Sequence, residues 1–85
     1  MLYRIYTEDK NREAIEKICS EVFDGFTIIH ANGYYKGIKE NTIIIEIVVS
    51  IPDLRAIKYL ADNIKRLNHQ ESVLITCNKI DSQFI

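Results

Sequence analysis

Two hydrophobic periods alternate along this chain. "LYRIY" at 2–6 is rich in aromatic and branched residues and ends in the polar cluster Thr7, Glu8, Asp9, the pattern of a strand leading into a helix start. Asp9 or Asn11 is the expected N-cap. Ala14, Ile15, Ile18, Cys19, Val22 and Phe23 then recur at helical spacing, with Glu13, Glu16, Lys17 and Glu21 on the other face, until "FDG" stops the run. "FTIIHANG" (26–33) reads as a second strand and "NTIIIEIVV" (41–49) as a third, joined by "YYKGIKE" as the hairpin connection. The third strand is apolar on both faces, which argues for a central position. Pro52 and Asp53 open a second helix whose stripe is Leu54, Ile57, Leu60, Ala61, Ile64 and Leu67, and "SVLITCN" (72–78) is the last strand.

The order strand, helix, strand, strand, helix, strand predicts an α+β ferredoxin-like βαββαβ domain: one unit over 1–85, with a four-stranded antiparallel sheet and both helices on one face. The other face has no covering element. If Ile43, Ile45, Ile47 and Val49 face the helices, Ile44, Glu46 and Val48 face outward, and Arg4 is placed to pair with Glu46 across the strands. A half-apolar open face on a small domain predicts association, so Arg4, Ile44, Glu46 and Val48 are the expected oligomer interface. Chains of this size commonly need a disulfide, a metal or a partner copy for stability.

Charge and composition remove several function classes. The chain of 85 residues carries 11 basic and 12 acidic side chains, intermixed, for a net charge of −1. That leaves no electrostatic footprint for nucleic acid or an anionic membrane. "LYRIYT" is faintly like the first-strand motif of RNA-recognition domains, but the third strand lacks the aromatics that base stacking needs. No window has the length of a membrane span and the N-terminus has no secretory stretch, so a cytoplasmic location is expected. Cys19 lies on an apolar stripe and Cys77 ends a strand, which points to packing rather than redox chemistry, and the two histidines, His30 and His69, lack metal-ligand spacing. No catalytic grouping, metal site or cofactor motif is present, and enzymatic activity is the minority expectation.

"FDGFTIIHANGYYKG", Glu40, "IIIEIVV" and "HQESVLIT" together resemble a family of small bacterial and phage proteins of no established activity. The shared features are a Gly-x-Thr strand, a Gly-x-aromatic loop and a Gln-x-Ser-Val strand. More distantly, "GFTIIHANGYYKG" and "IIIEIVV" are similar to strands of the PII signal-transduction proteins and their CutA-like relatives. That resemblance implies a trimer with ligand clefts between subunits. Gly33, Lys36 and Gly37 then lie at the base of the PII regulatory loop, which is here a short hairpin, and "LNHQES" stands where PII has a glycine-rich phosphate loop.

These residues define a candidate ligand site. Gly33 and Gly37 most simply supply turn geometry, and their lack of a Cβ also permits close approach of a ligand. Lys36 and Lys39 are the cations expected to neutralise a phosphate or carboxylate, and Tyr34 or Tyr35 is the aromatic wall for a base. His69 and Gln70, at the start of the last strand, are expected to reach the same cleft from the neighbouring chain. The leading expectation is a non-enzymatic homo-oligomer, a trimer by resemblance, holding an anionic small molecule, a nucleotide or a nucleotide-derived signal. The alternative is a phage-type inhibitor or adaptor that docks on a host protein through its open sheet face or an edge strand.

Overall fold

The computed structural model describes all 85 residues. The elements are β1 (Leu2–Glu8), α1 (Arg12–Val22), β2 (Thr27–Tyr35), β3 (Ile38–Val48), α2 (Leu54–Leu67) and β4 (Leu74–Asn78), with a sheet order of β2-β3-β1-β4 and every neighbouring pair antiparallel. This is the ferredoxin-like α+β arrangement that the sequence periods predict.

Alternation along the central strands builds the core. Tyr3 and Ile5 of β1 and Ile43, Ile45 and Ile47 of β3 are buried beneath Ile15 and Cys19 of α1 and Ile57, Leu60, Ala61 and Ile64 of α2. Each fully buried aliphatic contributes roughly 1.5–3 kcal/mol. The helical stripes are shorter than their periodicity suggests, because Ala14, Leu54 and Leu67, in the first or last turns of their helices, are exposed.

Local signals fix where the elements stop. Asp53 caps α2 by accepting from the Ala56 N–H at 3.2 Å. Asn11 occupies the N-cap position of α1 in a left-handed conformation (φ 53°) without a side-chain cap. Its amide instead donates to the Leu67 carbonyl at 2.9 Å and to Asn68 Oδ1 at 3.1 Å, tying the start of α1 to the end of α2. At that end, His69 N–H donates to the Arg66 carbonyl and Gln70 N–H to the Lys65 carbonyl, with His69 at φ 52°. These paired bonds form a Schellman closure in which histidine takes the position usually held by glycine.

The β2–β3 hairpin is tighter than the seven-residue connection expected. The strands run on to Tyr35 and from Ile38, and Lys36 (φ 51°) and Gly37 (φ 77°) make a two-residue turn with both residues left-handed, the type I′ pattern. Gly33 is not in that conformation. A Cβ there would stand inside contact distance of Thr42 Oγ1, so its requirement is close packing within the hairpin. The last strand begins at Leu74, which places His69 and Gln70 in the α2–β4 loop.

Candidate functional site: the hairpin cavity and the open sheet face

The face of the sheet away from the helices is striped. Strand register aligns Leu74 of β4, Tyr6 of β1, Ile44 of β3 and Ile29 of β2 in one apolar row across all four strands. The adjacent row is polar, running Thr76, Arg4, Glu46, Thr27, and within it Arg4 Nε donates to Glu46 Oε2 at 2.7 Å. Hydrogen bonding to the Glu46 carboxylate holds the Arg4 guanidinium above its ordinary pKa. Arg4, Ile44, Glu46 and Val48 therefore share the face expected of them. Leu74, Tyr6 and Ile29 complete the apolar row, and only the register between strands reveals them. Near Val48 this face is flanked by the chain's own Ser82, Gln83 and Phe84.

A cavity of about 380 Å³ opens where the β2–β3 hairpin projects beyond the end of β1. It is lined by Glu8, Tyr35, Glu40, His69, Gln70, Glu71 and Ser72. Tyr35, His69 and Gln70 thus meet within a single chain, whereas the sequence suggests that they meet across two. The other expected site residues divide from them. Tyr34 pairs with Lys39 on the opposite side of the hairpin, by strand alternation from Tyr35 and Glu40. Lys36 stays near, its Nζ 5.4 Å from the centre of the Tyr35 ring. Gly33 and Gly37 shape the hairpin.

The electrostatics of this cavity differ from the expectation of a cationic anion site. Three of its lining residues are carboxylates, invisible as a group in the sequence because they come from β1, β3 and the α2–β4 loop. Glu8 is paired with Lys10 at 2.9 Å, while Glu40 and Glu71 have no ion-pair partner in the chain.

Elsewhere, His30 has a carboxylate in space that it lacks in sequence. Asp9 Oδ2 stands 3.7 Å from its Nδ1, and the Arg12 guanidinium, bonded to Asp9 at 3.1 Å, lies against the ring. The cluster is solvent-facing and contains no nucleophile. Burial, with the nearby Glu16 carboxylate adding, pushes the Cys19 thiol up to about 11, and Cys77 is exposed and unpaired. No group of His, Cys, Asp and Glu is placed to hold a metal, and no helix is long and apolar enough to cross a membrane.

No protein-family model matches the chain, and no curated protein matches it in sequence. Among solved structures, it is similar to a phage SAM lyase in its apo state. The TM-score is 0.70 with 15% sequence identity, over 87% of this chain and 75% of that one. At that identity the likeness is one of fold.

Proposed function

We propose that this protein binds a nucleoside-type small molecule carrying positive charge, of the S-adenosylmethionine kind, in the hairpin cavity. Copies of the chain associate through the open sheet face, and a neighbouring copy closes the cavity. The observation that carries this reading is the convergence of Glu8, Glu40 and Glu71 around one space walled by Tyr35. At an effective dielectric of about 20, two unit charges 4 Å apart interact by about 4 kcal/mol. The carboxylates therefore favour a sulfonium or ammonium group and disfavour a phosphate, while the tyrosine ring offers a stacking face for a base, worth about 1–3 kcal/mol in nucleic-acid complexes.

Two further facts support the reading. The fold is shared with a phage SAM lyase, and the apolar row Leu74, Tyr6, Ile44, Ile29 gives the open face the character of an association surface. A trimer agrees with the resemblance to PII-like proteins.

Calorimetric titration with S-adenosylmethionine, S-adenosylhomocysteine, adenosine and ATP tests the proposal, with the nucleoside analysed chromatographically after incubation. The expected result is tightest binding of the sulfonium compound and weakest binding of ATP. A preference for ATP refutes the charge argument. Recovery of cleaved nucleoside makes the protein an enzyme rather than a holder. If no compound binds, the adaptor reading, docking on a host protein, takes its place.

A further inference from the structure

The Gln70 side chain is held in one orientation by groups that allow no other. The Glu8 backbone N–H, which can only donate, points at Gln70 Oε1 from 3.3 Å. Thr7 Oγ1 donates to the same oxygen, and Asn68 Nδ2, 3.3 Å away, shares with it a hydrogen that it also directs elsewhere. Asn68 is itself fixed, because its Nδ2 donates to the Glu8 carbonyl, which can only accept, at 3.1 Å, and to Thr7 Oγ1 at 3.0 Å. Its Oδ1 accepts from Asn11. Thr7 and Asn68 are each only 3% exposed, so that end of the network is shielded from competing water. One residue, Glu8, thus sets both amides through its two backbone groups.

The side-chain hydrogen bonds of Gln70 within the chain all fall on Oε1. Its Nε2 makes no hydrogen bond within the chain, and Gln70 lines the cavity, so two N–H donors remain for a ligand there, with no freedom to exchange places with the oxygen. The surrounding carboxylates can only accept when ionised, so they cannot supply this polarity.

We infer that Gln70 is a specificity-determining residue that donates a hydrogen bond from Nε2 to a neutral acceptor, a ring nitrogen, on the base of the bound nucleoside. Thr7 and Asn68 act through it as positioning residues. The inference rests on the nucleoside reading of the cavity and adds to it the part of the ligand that is read. The carboxylates recognise the charged end, and Gln70 with Tyr35 recognises the base. An unsatisfied donor in a partly desolvated site rejects a base that lacks the matching acceptor.

The test is Gln70→Glu. A carboxylate keeps an oxygen where Thr7, the Glu8 N–H and Asn68 need one, and replaces the donating nitrogen with an acceptor. The variant is expected to fold with an unchanged circular dichroism spectrum and to bind adenosine, which has no positive charge for the added carboxylate to attract, at least tenfold more weakly than wild type at pH 7.5. Adenosine binding should recover as pH falls through the carboxylate range and the protonated acid regains a donor. Wild type is expected to prefer adenosine over 1-deazaadenosine or 7-deazaadenosine by roughly tenfold, and Gln70→Glu is expected to lose that preference. Thr7→Val, which leaves the cavity lining intact, should reduce the preference in part. If wild type binds adenosine and Gln70→Glu binds it equally at pH 7.5, the role of Gln70 is refuted while the cavity reading stands. If wild type binds no nucleoside, both fall together.

Discussion

Arg4 and Glu46 lie directly opposite one another on β1 and β3, joined at 2.7 Å on the face of the sheet that no helix covers. Their side chains are 38% and 25% exposed, and an ion pair so open to water contributes little to stability. The pair is therefore a weak reason for the sheet to hold together. Its position beside the apolar row through Ile44 suits a surface where a second copy would cover both.

Ile44 is the central test of that surface, flanked by Tyr6 on β1 and Ile29 on β2. Ile44→Glu removes an aliphatic worth roughly 1.5–3 kcal/mol when buried and introduces a charge. Sedimentation should show wild type as an oligomer and Ile44→Glu as a monomer with unchanged helical content. A wild type that sediments as a monomer at high concentration removes the interface proposal.

How much of this was legible in the sequence follows the range of the signals. The alternation of β1 and β3 was enough to identify the core and to place Arg4 and Glu46 on one face, since each is a property of residues within a strand. The hairpin loop is shorter than its sequence suggests because Lys-Gly is a weaker type I′ signal than Asn-Gly, while Tyr34, Tyr35 and Ile38 have the β-propensity to extend the strands. The cavity was only half visible. Tyr35, His69 and Gln70 stood out as residue types, but Glu8, Glu40 and Glu71 converge only through the register of three separate segments. The turn that delivers His69 and Gln70 to Tyr35 carries histidine where the helix-stop signal would be glycine.

The two thiols should behave oppositely. Cys19 is fully buried and its pKa is raised to about 11, so it should resist a thiol reagent in the folded protein while Cys77 reacts. Cys19→Ala should lower stability by about 1 kcal/mol through lost packing, and Cys77→Ala should change it little. The raised pKa also fixes a pH dependence. Well below pH 9 the thiol is protonated in both states and its contribution is complete. As pH rises from 9 through 11, the unfolded chain ionises first and that contribution is lost. It amounts to on the order of 2 kcal/mol. Denaturant melts at pH 8 and pH 10.5 should show a larger fall for wild type than for Cys19→Ala, and equal falls would place the thiol in a wetter environment than the core.

His69 carries a conformational cost that its neighbours do not need. It sits at φ 52° in the Schellman closure of α2, where a non-glycine residue is disfavoured by about 1–2 kcal/mol. Glycine would relieve that strain at an entropic cost of about 0.4–1 kcal/mol in the unfolded chain. His69→Gly should therefore raise stability by about 1 kcal/mol in a denaturant melt, since the two backbone bonds that close the helix do not involve the side chain. The imidazole lines the cavity beside Tyr35 and Gln70, and in the ligand-binding reading its removal should weaken S-adenosylmethionine binding in the same variant. Higher stability together with weaker binding is the expected pairing. A variant that is more stable and binds as wild type does would show that His69 closes the helix and takes no part in the site.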